Sequence, residues 1–181
     1  MRKAVFLDRD GVINSLVPRP DGRMTSPWTL EEFMSHVDPN ISSYVKTLKE
    51  LDYMVFVVTN QPGVLDGEMM MIELDEMCGY LEEEAGINHV LYALKKDSHL
   101  YKPNNGMIEA LIRTYKVDRH HSFMVGDRWK DIVAGHKSKL MTIFIGKQYT
   151  TPEKYEHIQP DYIVDNVLHA ATLIAELEKY D

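Results

Sequence analysis

Two aspartates, Asp8 and Asp10, flank Arg9 where an apolar run ends and just before Gly11, in "VFLDRDGVIN". Like charges this close disfavour each other's ionised forms. A cation relieves that cost, and so does a reaction needing one carboxylate charged and the other protonated. Further polar groups follow later apolar runs: Thr59-Asn60-Gln61 after "YMVFVV", Tyr101-Lys102 before "PNNGM", and Asp127 and Asp131 in "MVGDRWKDIVAG".

These residue types suit phosphoryl transfer. Asp8 can attack phosphorus and form an aspartyl-phosphate. Asp10 can protonate the leaving oxygen and then serve as base for water. Asp127, with Asp8 and the backbone carbonyl of Asp10, would make an oxygen-rich Mg²⁺ site, which offsets repulsion between a carboxylate nucleophile and a phosphate. Thr59 and Lys102 suit the phosphoryl oxygens, and Asn60, Gln61, Arg9 and Tyr101 are further candidate contacts to phosphate or substrate. Gly11 permits a sharp turn where a Cβ would crowd the phosphate. Asp131 is either a solvated helix acid or the residue that holds Lys102 or a metal-bound water. Taken singly, these residues have ordinary explanations as caps and turn formers. Their order along the chain favours chemistry.

Such residues converge only if the elements before them lie side by side. "AVFL" (4–7), "YMVFVV" (53–58), "HVLYAL" (89–94), "SFMVG" (122–126) and "MTIFIG" (141–146) read as strands, and "DYIV" as an edge strand. Their continuous apolarity suits a parallel sheet covered on both faces. Helical spacing marks "DPNISSYVKTLKELD", with Asp38 as N-cap and Pro39 at the first position, then "GEMMMIELDEMCGYLEEEAG", "GMIEALIRTYKV", "RWKDIVAGHKSK" and "VDNVLHAATLIAELEKY". The methionines 69–71 read as core. The alternation predicts a doubly wound α/β fold in one domain over 1–181. In such a sheet ligands bind outside the carboxyl ends of the strands, where the polar residues above fall. Residues 15–37 read as a long loop near the site with one short turn of helix, and 147–161 as a second polar loop with no assigned role.

Composition narrows the alternatives. With 20 Lys+Arg against 28 Asp+Glu the formal charge is −8, with no basic block, which argues against nucleic acid as a partner. Cys78 is the only cysteine, so no intrachain disulfide or thiolate-cluster zinc site can form. It reads as a semi-buried thiol in a helix. No signal-peptide core or membrane-length apolar stretch is present, so the expectation is a soluble cytoplasmic protein. Nothing in the sequence fixes an oligomeric state.

"FLDRDGVIN", "VVTNQPGV", "YKPNNGM" and "MVGDRWKDIVAG" resemble motifs I to IV of the haloacid-dehalogenase (HAD) superfamily of phosphatases. Arg9, "GVIN", "TNQ" and "KPNNGM" resemble the branch that holds heptose bisphosphate and histidinol-phosphate phosphatases. The resemblance covers about residues 4 to 146. It implies Asp8 as nucleophile, Asp10 as acid/base, Thr59 and Lys102 as phosphate ligands, Asp127 as Mg²⁺ ligand and a small phosphorylated metabolite as substrate. Too few residues separate Asp8 from Thr59, or Thr59 from Lys102, for a cap domain.

The chain departs from that branch at three places. "YALKKDSHLYKPNNGM" has no cysteine and only His99, so the structural zinc common there is not expected. Tyr101 stands where an arginine often precedes the lysine, and Leu65-Asp66-Gly67 where Ala-Arg-Gly often follows "TNQ". The loss of two cations points away from a bisphosphorylated sugar and toward another sugar phosphate or a neutral leaving group. Histidinol phosphate, a polynucleotide 3′-phosphate and a phosphoprotein are alternative substrates. A phospho-accepting regulatory module is the alternative of another class, and Asp10 discriminates against it, because a receiver needs no leaving-group acid.

Overall fold

The structure, a computed structural model, describes residues 1–179. In chain order its elements are β1 (Lys3–Leu7), β2 (Val17–Pro18), β3 (Met24–Thr25), α1 (Leu30–His36), α2 (Ile41–Glu50) and β4 (Tyr53–Asn60). Next come α3 (Met71–Glu83), β5 (His89–Ala93), α4 (Gly106–Tyr115), β6 (Phe123–Gly126) and α5 (Trp129–Lys137), and then β7 (Met141–Ile145), β8 (Tyr162–Val164) and α6 (Val167–Leu177). Tyr180, the last residue of the predicted final helix, lies outside the described residues.

Six strands form one parallel sheet in the order β5-β4-β1-β6-β7-β8. This is the doubly wound α/β architecture expected from the sequence. The chain winds outward from β1 to β4 and β5, then returns to β6 on the other side of β1. The switch therefore falls at β1, and a crevice opens at the carboxyl ends of β1, β4 and β6. Both faces are covered. Val5, Leu7, Val55 and Val57 pack against α2, α3 and α6, while Ala4, Phe6, Phe56 and Val58 pack against α4 and α5. This two-sided burial explains the unbroken apolar runs.

Several local expectations are corrected. Helix α2 begins at Ile41 with Asn40 as N-cap, because the Asp38 carboxylate accepts the Asn40 amide hydrogen and turns the chain ahead of the helix. Of the methionine cluster only Met69 is buried, whereas Met70 is 65% exposed in the turn entering α3. Residues 15–37 are more ordered than a loop, folding into the β2–β3 hairpin and the two-turn helix α1. Thr29 caps α1 by accepting from the Glu32 amide, and the Glu32 carboxylate accepts from the Trp28 amide. Residues 147–161 pack against α5: Trp129 stacks on Tyr155, Tyr149 meets Phe144 edge-on, and Ile158 is buried beside Ile132 and Val133.

Cys78 is half-buried, and burial pushes its thiol up to about 11. That keeps it protonated near neutral pH, as a packing residue would be. Among the described residues no helix is long and apolar enough to cross a membrane.

Candidate active site

Each polar segment leaves its strand at the same rim. Asp8 follows β1, Thr59 and Asn60 close β4, and Asp127 follows β6. Lys102 arrives from the loop between β5 and α4, and Asn60 fastens it there. The Asn60 amide donates to the Lys102 carbonyl and accepts from the Lys102 backbone N–H, both at 2.9 Å. Asp8, Asp10, Thr59, Asn60, Tyr101, Lys102 and Asp131 all line one cavity of about 180 Å³. That is below the roughly 300–1,000 Å³ of drug-sized sites and suits a small metabolite.

Lys102 is the hub. Its ammonium is buried and has three partners: Asp131 Oδ1 at 2.6 Å, the Val58 carbonyl at 2.7 Å and Asp8 Oδ1 at 2.9 Å. Burial alone would pull its pKa down, but Asp131 and Asp8 hold it above the ordinary lysine value. Of the two readings offered for Asp131, the structure shows the one that holds Lys102. Its other oxygen accepts from the Arg128 amide and caps α5. Asp8 Oδ1 also accepts from the Arg9 amide at 2.7 Å, so both of its donors fall on one oxygen.

Oxygens of Asp8, Asp127 and Asp131 come within 4.8 Å of one another. Asp8 is pushed up to about 7 by burial and then by Asp131, and Asp127 to about 6 by burial and Asp131. Asp127 Oδ1 is buried with no hydrogen-bond partner. Four carboxylates, Asp8, Asp10, Asp127 and Asp131, crowd around the buried Lys102 and Arg9, with Arg128 and Lys130 at the cavity wall. Gly11 sits against this cluster at φ +88°, where a Cβ would lie 2.1 Å from Asp127 Oδ2. An orphaned oxygen, acids that burial and mutual repulsion hold above their ordinary pKa, and hard oxygen donors together fit a divalent cation such as Mg²⁺.

Arg9 and Gln61, expected to touch phosphate or substrate, do not line the cavity. Both are fully buried behind it, and both donate to Asp10. Arg9 Nε donates to Asp10 Oδ1 and Nη2 to Oδ2, while Gln61 Nε2 donates to Oδ2 at 2.7 Å. Asn14 Nδ2 adds a fourth donor at 3.1 Å. A buried guanidinium needs such partners, which is why it turns inward. The Asp10 carboxyl is thereby turned to these donors, and the acids that cluster through their side chains are Asp8, Asp127 and Asp131.

Leu16, Met24 and Ser26 line the cavity from the 15–37 stretch expected near the site, and Pro62 lines it as well. Arg128 and Lys130 also line it, and these two the sequence reading missed. Arg128 and Lys130 stand one and three positions after Asp127, so their placement beside a strand-end acid was a usable signal. They place two cations at a cavity where motif comparison had counted two lost.

A family profile described as HAD-hydrolase-like matches residues 99–170. The chain is 28% identical to the D-glycero-beta-D-manno-heptose-1,7-bisphosphate 7-phosphatase of Haemophilus influenzae, over 99% of this chain and 100% of that one. It is 32% identical to the D-glycero-alpha-D-manno-heptose-1,7-bisphosphate 7-phosphatase of Burkholderia mallei, over 79% of each. The chain thus belongs to the HAD superfamily of phosphatases. Its fold matches that of the D,D-heptose 1,7-bisphosphate phosphatase of B. bronchiseptica, solved with magnesium and phosphate. That match has a TM-score of 0.76 at 19% identity, over 97% of this chain and 99% of that one.

Proposed function

We propose that the protein is a Mg²⁺-dependent phosphomonoesterase that works through an aspartyl-phosphate on a sugar phosphate, with a heptose bisphosphate the favoured substrate. The observation that carries this reading is the Lys102 hub, which binds Asp8 and Asp131 beside the orphaned Asp127 at the sheet's switch point. Lys102 and Thr59 then face the phosphoryl oxygens. Asp8 Oδ2, to which no described residue donates, attacks phosphorus as the bond to the leaving oxygen breaks. Asp10 passes a proton to that oxygen and later takes one from the water that releases phosphate. Since four donors already reach its oxygens, carrying a proton requires one of them to withdraw.

Asp8, Asp127 and the backbone carbonyl of Asp10 would hold Mg²⁺, with Asp131 close by. Bound there, the ion supplies charge neutralisation between the carboxylate and the phosphoryl group. Arg128 and Lys130 support a substrate with a second anionic group, in keeping with the names of the relatives. The chain is read as one domain, with a site walled by residues 15–37 and other loops rather than by a separate cap.

The test is Mg²⁺-dependent phosphate release across heptose and hexose phosphates and bisphosphates, histidinol phosphate, nucleotides and an aryl phosphate. A heptose bisphosphate should turn over best, and Asp8→Asn or chelation should abolish release. Equal turnover by Asp8→Asn would overturn the aspartyl-phosphate mechanism. Preference for histidinol phosphate would replace the sugar substrate.

A further inference from the structure

All three polar contacts of the buried Gln61 amide fall inside the site. Nε2 donates to Asp10 Oδ2 at 2.7 Å and to Thr59 Oγ1 at 2.8 Å, and Oε1 accepts from Arg9 Nη2 at 3.1 Å. The sense of this arrangement is fixed by chemistry. A guanidinium has no acceptor, so the amide atom facing Arg9 must be oxygen. A carboxylate offers no hydrogen, so the atom facing Asp10 must be nitrogen. The second amide hydrogen is left for Thr59.

A hydroxyl that accepts this bond keeps its own hydrogen to give elsewhere. Among the described residues none takes it. Thr59 lines the cavity, so the free hydrogen is available to an oxygen of a phosphoryl group on Asp8. Arg9 holds the amide from behind. It is wholly buried, with Nη1 on the Met77 sulfur at 3.3 Å and its guanidinium over the Phe33 ring, so it cannot turn to solvent.

We propose that Gln61 is a positioning residue that makes the Thr59 hydroxyl a donor toward the phosphoryl group, with Arg9 as the charge that orients the amide. The inference rests on reading Asp8 as nucleophile and Thr59 as a phosphoryl ligand. It predicts that donor sense matters more than bulk. Gln61→Glu keeps the size and can pair with Arg9, but it presents an acceptor to Thr59 and draws the hydroxyl hydrogen away from the cavity. Gln61→Met keeps the size and leaves the hydroxyl free to point either way.

Kinetics with the best phosphomonoester should show kcat falling roughly 10- to 100-fold in Gln61→Glu and less in Gln61→Met. Affinity for orthovanadate should weaken in the same order, while melting temperature should not follow it. Gln61→Glu also sets a carboxylate against Asp10, so in a Thr59→Val background its effect should shrink to the part that acts through Asp10. A full effect in that background, or wild-type kinetics in a folded Gln61→Glu, overturns the inference. If the variants do not fold, NMR of the wild-type protein decides. The Gln61 side-chain NH₂ signals should shift when orthovanadate binds, and unmoved signals overturn the proposal. Activity that survives Asp8→Asn instead marks failure of the underlying reading of the site.

Discussion

A methyl group at position 11 would meet two obstacles at once. The backbone there has φ +88°, a region that L side chains rarely adopt, and the added carbon would lie 2.1 Å from the Asp127 carboxylate. The strain costs about 1–3 kcal/mol, which a folded protein can survive. The displacement of Asp127 falls on the candidate cation site. Gly11→Ala is therefore expected to remain folded but to lose Mg²⁺ affinity by roughly 10- to 100-fold, as read by calorimetric titration. Unchanged affinity would remove Asp127 from the cation site. Most of this chemistry was legible in residue types: Asp8, Asp10, Thr59, Lys102 and Asp127 are close to the strand ends or joined to them by one loop. What was not legible was direction. Arg9 sits between Asp8 and Asp10 in sequence, yet its side chain points away from the cavity into the core, where Met77 and Phe33 receive it.

Among the elements, the hairpin of β2 and β3 adds a wall to the cavity beyond the sheet itself. Met24 and Ser26 reach the cavity from it. Arg19 locks it in place, pairing with both oxygens of Glu32 on α1, lying 3.5 Å over the Trp28 ring, and donating to Thr25 Oγ1 and the Ser26 carbonyl. Arg19→Ala should cost about 1–2 kcal/mol for a half-buried ion pair with cation–π support. For a chain this size that lowers the melting temperature by roughly 2–8 °C. Because the wall loosens while Asp8 and Lys102 stay, KM should rise more than kcat falls. A kcat loss with unchanged KM would show that the hairpin does not touch substrate. The signal for α1, Thr29 three residues before Glu32 and then Phe33, is a capping pattern present in the sequence. The hairpin was not legible, since Arg19 finds Glu32 only after the chain has turned twice.

For the molecule as a whole, the acids at the switch point couple stability to pH and metal. Asp8 is raised to about 7 and Asp127 to about 6, both first by burial, from ordinary values near 4. The folded state therefore holds protons that the unfolded chain has released between about pH 4 and pH 7. Stability of the metal-free protein must fall as pH rises through that window. A cation binds the ionised carboxylates and so compensates most where they have lost their protons. Thermal melting should show a metal-free midpoint that drops between about pH 5 and pH 7.5. Added Mg²⁺ should raise it little at the lower pH and clearly at the higher. An equal Mg²⁺ effect at both would mean that these acids do not hold the ion.

The sequence determined the order of the elements and the chemical types delivered to one rim. Strands buried on both faces must be unbroken apolar runs, and polar residues that follow them can lie only at the strand ends. Tertiary structure decided which of those residues face a substrate and which face each other. Gln61 and Asp10 lie 51 positions apart and Lys102 and Val58 44 apart. Hydrogen bonds across such distances exist only once β5, β4 and β1 lie side by side. The Arg128 and Lys130 wall likewise depends on where α5 begins. The physical reason is that burial, which sets the direction of a charged side chain, is a property of the packed sheet and not of the residues beside it in the chain.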